Sequence, residues 1–261
     1  MAVDTKLITK LREITGAGIG DCKAALEEGD SNIDKAIEIL RKKGAVKAAK
    51  KAERITKEGV IAIAKDGQKL AVVALACETD FAAINGEFIN AADSLAKKLL
   101  AAGSDGFKES AEEFIKSELV VKIGENIQLT AAELIDGPVL GSYLHSNKKV
   151  ASVVVLNSGS ETLAADLAMQ VAAMAPKYVK PEDILPAEIA KEKEIYREQL
   201  KGEGKPEAMW DKIIPGKLNK YYQEFCLIKQ PFIKDDKITI EQLIKEQGGN
   251  IEVIKFFRFQ I

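Results

Sequence analysis

Four side chains of this 261-residue chain have the types that nucleophilic or metal chemistry draws on: Cys22, Cys77, Cys226 and His145, its only histidine. A cysteine nucleophile needs a neighbouring base to take its proton, and any of the three could approach His145 in space. Cys77 with His145 is the pairing to test. The cysteines are far apart, odd in number and without a Cys-x-x-Cys spacing. That pattern points to free thiols in a reducing compartment, and no set of ligands has the spacing of a zinc site. Gly16, Gly18 and Gly20 invite a phosphate-loop reading. No strand precedes them, no Gly-Lys-Ser/Thr follows, and their spacing misses the dinucleotide fingerprint. They read better as turn glycines between two helices. These residues point away from bond-making chemistry: not an enzyme, and no metal or cofactor of its own.

A function carried by shape needs a presented residue, and Cys77-Glu78-Thr79-Asp80-Phe81-Ala82 offers one. Lys69 to Cys77 is a Leu/Ala/Val run that predicts a buried strand. Thr79 and Asp80 are both good helix caps, and Asn85 offers a second helix start. Phe81 therefore falls at the corner between strand and helix. It either tucks into the core, as an isolated aromatic commonly does, or stands out as a wedge for a partner.

Around that corner the pattern predicts an α+β chain. Val3, Leu7, Ile8, Leu11 and Ile14 share a helical face that Gly16 and Gly18 end. Asp21 is placed to cap a second helix that stops at Gly29, and Asn32 a third that stops at Gly44. So small a three-helix unit buries little alone, and one apolar edge is expected to serve a partner. Residues 59–63, the Lys65-Asp66-Gly67 turn and residues 70–75 read as a hairpin. A helix with Ala92, Leu95, Ala96, Leu99 and Leu100 on one side follows it. Residues 141–145, Ser146-Asn147-Lys148 and residues 150–156 repeat that plan, with a helix from about Ser160 carrying Leu163, Leu167, Val171 and Met174. Asp136-Gly137-Pro138 marks the boundary. Ile189 and Tyr196, then Ile214, Leu218, Tyr221 and Phe225, are spaced for an antiparallel helical hairpin at about 186–226. A short helix from Thr239 and a strand over 254–261 close the chain. The expected domains are 1–54, 55–137 and 138–261.

Hydrophobic residues at 46% and charged ones at 30% describe an ordinary globular balance. A formal net charge of −2 argues against a protein whose main task is gripping nucleic acid. One stretch departs from it: residues 41–57 carry eight Lys/Arg against Glu53 alone. Interspersed alanines make it a helical, solvated connector. As an RNA-binding stripe it lacks aromatics for stacking, and a steep salt dependence of RNA binding would be its mark. No run is apolar enough for a membrane span or a leader, so a cytoplasmic protein without membrane attachment is expected.

Six segments occur in one telling order: residues 11–26 (Leu-Arg-Glu-Ile-Thr-Gly-Ala-Gly-Ile-Gly-Asp-Cys-Lys-Ala-Ala-Leu), Lys47 to Ala52, Thr79-Asp80-Phe81, Lys122 to Ile127, Leu140-Gly141-Ser142-Tyr143 with His145, and Gln230-Pro231-Phe232. Through them the chain resembles the bacterial elongation factor Ts family over almost its whole length. The resemblance implies an N-terminal three-helix module of ubiquitin-associated type, a core of two hairpin-plus-helix subdomains and an inserted coiled-coil hairpin. It implies a guanine-nucleotide exchange factor that binds elongation factor Tu and releases its GDP, with no stable nucleic-acid partner and no small-molecule substrate of its own. It assigns displacement of the partner's Mg²⁺ to Thr79, Asp80, Phe81 and Ala82, the last at a position where the family more often has Val. Partner binding falls to Thr15, Gly16, Ala17, Gly18, Asp21, Cys22, Lys23, Lys51, Tyr143, His145, Gln230, Pro231 and Phe232. Some members continue with a further helix past the point where this sequence stops.

Overall fold

Capping residues punctuate the first fifty positions. In the computed structural model, which describes residues 3–261 and leaves aside the side chains of Ala45 and Lys47, α1 (Thr5–Thr15) starts where the Asp4 carboxylate accepts from the Lys6 N–H at 2.9 Å. It ends at Gly16, whose left-handed φ of +67° suits only glycine comfortably. The second helix, α2 (Ile19–Glu28), corrects an expectation. Gly18, not Asp21, stands at its N-cap, and Asp21 sits inside the first turn, where its charge faces the positive end of the helix. Asn32 caps α3 (Ile33–Lys51) as expected, accepting from the Lys35 N–H at 3.0 Å. Gly44 does not stop that helix, which runs on to Lys51. Leu11, Ala17, Cys22, Ala25, Leu26, Ala36 and Leu40 form the buried centre of this helical region, with Val121 packed against it.

Strands β1 (Glu58–Asp66) and β2 (Lys69–Cys77) pair antiparallel in the register Glu58↔Cys77 to Asp66↔Lys69, joined by Gly67-Gln68. β2 is buried from Leu70 to Cys77, as its unbroken apolar sequence requires. The short α4 (Asp80–Ala83) precedes α5 (Gly86–Ala102), capped by Asn85, which lays Phe88, Ala92, Leu95, Ala96 and Leu99 on the hairpin. Two further features have no counterpart in the sequence reading. One is a continuous helix made of α6 (Phe107–Phe114), a π turn (Ile115–Leu119) and α7 (Val120–Ile123); the other is β3 (Gln128–Asp136), which completes the sheet order β1-β2-β3.

The remaining elements are β4 (Val139–Leu144), β5 (Val150–Leu156), α8 (Glu161–Met174), α9 (Pro186–Gly202), α10 (Trp210–Phe225), β6 (Pro231–Phe232), β7 (Asp235–Thr239), α11 (Ile240–Glu246) and β8 (Val253–Gln260). β8 joins the second hairpin in the order β4-β5-β8, and β6 pairs with β7. The helix from Ser160 and the one from Thr239 start at those residues, each with its hydroxyl accepting an N–H three residues on. Near its start, α9 places Glu188 against Tyr221, late in α10, at 2.7 Å. Near its end, Gln199 meets Lys217, a turn earlier along α10 than Tyr221, at 3.1 Å. The two helices therefore run antiparallel, closed on Leu200, Ile214 and Leu218.

The chain is a mixed α+β protein of two compact units. One comprises residues up to Ile135 with Leu144–Val150 and Phe259–Ile261; the other comprises Asp136–Tyr143 and Ala151–Arg258.

Candidate functional site

Only Glu78 and Thr79 separate β2 from α4. Thr79 is extended, and its hydroxyl oxygen accepts from the Ala82 N–H at 3.3 Å, which caps the helix. The Asp80 carboxylate accepts from the Phe81 N–H at 3.0 Å. Glu125 meets this junction from far along the sequence. One of its oxygens accepts from the N–H groups of Glu78 and Thr79, each at 3.0 Å, and the other from the Thr79 hydroxyl at 2.6 Å. In return the Glu78 carboxylate accepts from the Asn126 N–H at 2.7 Å and pairs with Arg54 at 3.4 Å. The buried Asn126 amide donates to the Arg54 carbonyl at 2.7 Å. Gly124, at φ +83°, ends α7 and turns the chain into Glu125, while the Lys51 ammonium donates to the Gly124 carbonyl.

On this braced corner Phe81 is 78% exposed, so the core-tucked reading of it fails. Ile84, three residues on, is 74% exposed, and that spacing puts both side chains on one side of the short helical turn. Ala82 and Ala83 point the other way, into the core. Ile84 escaped the sequence reading; its signal is a large apolar residue at i+3 from Phe81. Adjacent exposed apolar side chains on a rigid element are the usual mark of a partner surface.

His145 lies one residue beyond β4, exposed, on a tight turn. Its N–H donates to the Val150 carbonyl at 2.9 Å, and its carbonyl accepts from Lys148 at 2.8 Å. That turn is fastened to the first strand: the Ile61 N–H donates to the Lys148 carbonyl at 2.7 Å, and Lys149 forms an ion pair with Glu58. Glu58 lies opposite Cys77 in the hairpin register, so the His145 turn and the Phe81 corner flank the same end of one hairpin. Tyr143 is half-buried and packs with the core of the second unit.

The other positions divide between surface and support. Gly16 and Gly18 are exposed, Thr15 is half-buried and donates to the Leu11 carbonyl, and Ala17 and Cys22 are buried. Asp21 is half-buried, and Lys23 is exposed beside Glu27. Ile14 and Ile19 add exposed apolar surface there, at 52% and 58%. Lys51 braces the corner through Gly124, and the Lys47 side chain lies outside the described residues. In the second unit Pro231 is exposed, whereas Phe232 and Gln230 are buried, Gln230 bridging Gln170 at 3.1 Å and the Glu224 carbonyl at 2.8 Å.

All three thiols are buried. Burial raises Cys22, and burial with the Glu125 and Glu58 charges pushes Cys77 up to about 12. Burial with Asp183 and Glu182 pushes Cys226 up to about 11. Thiols that keep their protons at neutral pH are poor nucleophiles, which counts against a Cys77–His145 pair. Among the described residues no group of three or more His, Cys, Asp or Glu is arranged to hold a metal ion, and no helix is long and apolar enough to cross a membrane.

The family model for elongation factor TS matches residues 78–261, a span that opens at Glu78 on the corner itself. Elongation factor Ts of Teredinibacter turnerae is 44% identical, with all of this chain and 91% of that protein aligned. That of a Hydrogenobaculum species is 44% identical across all of this chain and 99% of its own, and that of Aquifex aeolicus 43% across all and 98%. This chain therefore belongs to the elongation factor Ts family, and its role is in the elongation phase of translation.

Proposed function

We propose that the chain is the guanine-nucleotide exchange factor of elongation factor Tu and that the Thr79–Ala82 corner performs the exchange step. The observation that carries this reading is the pairing of a highly exposed Phe81 with a backbone held from both sides. A GTPase holds GDP through its phosphate loop and a Mg²⁺ that tolerates little departure from octahedral geometry. A rigid apolar wedge seated beside that metal disturbs its ligands, and a small displacement releases much of the nucleotide affinity. Asp80 brings a negative charge to the same place, while Ala82 supports the corner from inside. His145, on a turn fastened to the same hairpin, supplies a second contact.

Within this reading residues 1–54 are a docking module of ubiquitin-associated type. Residues 55–137 and 138–261 are two hairpin-plus-helix subdomains, the second bearing the helical hairpin at about 186–226. The setting is the cytoplasm. The deciding experiment is release of a fluorescent GDP analogue from elongation factor Tu. Release accelerated by catalytic amounts of the chain supports the reading, and an unchanged rate overturns it.

A further inference from the structure

The corner is gripped by a side chain, Glu125, that lies within the Lys122 to Ile127 segment of the resemblance but to which the resemblance assigns no role. We infer that Glu125 is a positioning residue for exchange: its carboxylate sets the direction in which Phe81 is presented. This rests on the exchange role proposed above.

Three donors converge on Glu125, the N–H groups of Glu78 and Thr79 and the Thr79 hydroxyl, at 3.0, 3.0 and 2.6 Å. A hydrogen bond to a carboxylate is shorter and stronger than one between neutral groups. The Thr79 hydroxyl is engaged twice, donating to Glu125 and accepting from Ala82, so the cap that launches α4 has its rotamer fixed from outside the helix. With only four residues, α4 has little stability of its own to hold Phe81 still. The Glu78 carboxylate grips the Asn126 N–H in return, so the two segments lock reciprocally. Without the Glu125 oxygens, the N–H groups of residues 78 and 79 turn to water and the wedge loses its fixed aim, a misplacement that costs rate more than affinity.

The test compares GDP release from elongation factor Tu by the full chain and by Glu125→Ala and Glu125→Gln. Glu125→Ala is expected to lower the maximal release rate about tenfold, the size of one charge-assisted hydrogen bond, with the half-saturating concentration nearly unchanged. Glu125→Gln should stay within about threefold of wild type, because its carbonyl still accepts both N–H groups and its amide donates to the Thr79 hydroxyl. In a Phe81→Ala background the Glu125→Ala loss should vanish, since there is then no wedge to aim. Hydrogen exchange at the amides of residues 78 and 79 should quicken in Glu125→Ala. A wild-type maximal rate in Glu125→Ala, or an undiminished loss in the Phe81→Ala background, overturns the inference and leaves the exchange reading standing. Failure of the unmutated chain to release GDP overturns both. If Glu125→Ala does not fold, Glu125→Met removes all three acceptor contacts while keeping the side chain's length, and a wild-type rate there is equally fatal.

Discussion

Under the proposed exchange role, Phe81 is the residue on which folding and function separate most cleanly. At 78% exposure it adds little to the chain's own stability, whereas an apolar anchor seated in a partner pocket is commonly worth about 2–4 kcal/mol. Phe81→Ala is therefore expected to cut GDP release by orders of magnitude at an unchanged urea midpoint. A variant that melts early while its folded fraction exchanges normally would return Phe81 to a structural role. Cys77 is the opposite case, buried, with its thiol donating to the Thr79 carbonyl at 3.3 Å. Its thiol keeps its proton up to about 12 in the fold, while an unfolded cysteine releases it near pH ~8.5. The unfolded state then binds fewer protons, so this contribution is complete below about pH 8.5 and is lost as pH rises towards 12. Cys226, raised to about 11, and Cys22 act in the same direction. The urea midpoint should fall between pH 8 and pH 10, and less steeply in Cys77→Ala; a flat profile in the unmutated chain would mean that the thiols titrate as freely folded as unfolded.

At the scale of elements, α3 shows where local signals mislead. Gly44 looks like a helix stop, yet its role is close approach. A Cβ there would run into Val121 and come within 3.0 Å of the carbonyl oxygens of Lys116 and Ser117. Gly→Ala inside a helix ordinarily stabilises by about 0.5–1 kcal/mol. Forcing a methyl into packed backbone costs about 1–3 kcal/mol, so Gly44→Ala should lower the urea midpoint, and a raised midpoint would show that α3 can move away freely. The facing helix was hidden for a related reason. Phe107, Ala111, Ile115 and Leu119 are buried at strict intervals of four, which drift off one face of a helix with 3.6 residues per turn. The wider π turn at Ile115–Leu119 takes up that drift and keeps all four inward. The basic stretch has its own explanation. Arg41 meets Glu118 at 2.9 Å, Lys42 meets Glu38 at 2.7 Å and Lys43 meets Glu28 at 2.6 Å. Such exposed pairs add little stability, but they set carboxylates against three of the stripe's eight basic side chains.

For the whole molecule, the legible part of the site was the part built from neighbours in sequence: the Thr79 cap, the Asn85 restart and the corner that exposes Phe81. What stayed hidden was tertiary. The Glu125 bonds to residues 78 and 79 span more than forty positions, and no local pattern encodes them. The same division bears on how an exchange factor must work. Nucleotide and factor affinities are linked, so the factor weakens GDP binding by the same ratio as GDP weakens factor binding. Only contacts that differ between the nucleotide-bound and nucleotide-free partner enter that ratio; contacts made equally to both set affinity alone. Under the proposed function Phe81, 78% exposed, is assigned to the first kind and the exposed apolar residues of the N-terminal helices, Ile14 and Ile19, to the second. Phe81→Ala should therefore shrink the ratio itself, bringing the affinities for GDP-bound and nucleotide-free elongation factor Tu together. Ile14→Ser with Ile19→Ser should weaken both affinities by a similar factor, about tenfold if the pair loses roughly 1.4 kcal/mol of burial, and leave the ratio within about twofold. Titration of each variant against both forms of the partner reads the ratio directly. A collapsed ratio in the Ile14/Ile19 variant would mean that the N-terminal helices, and not the corner alone, carry the exchange step.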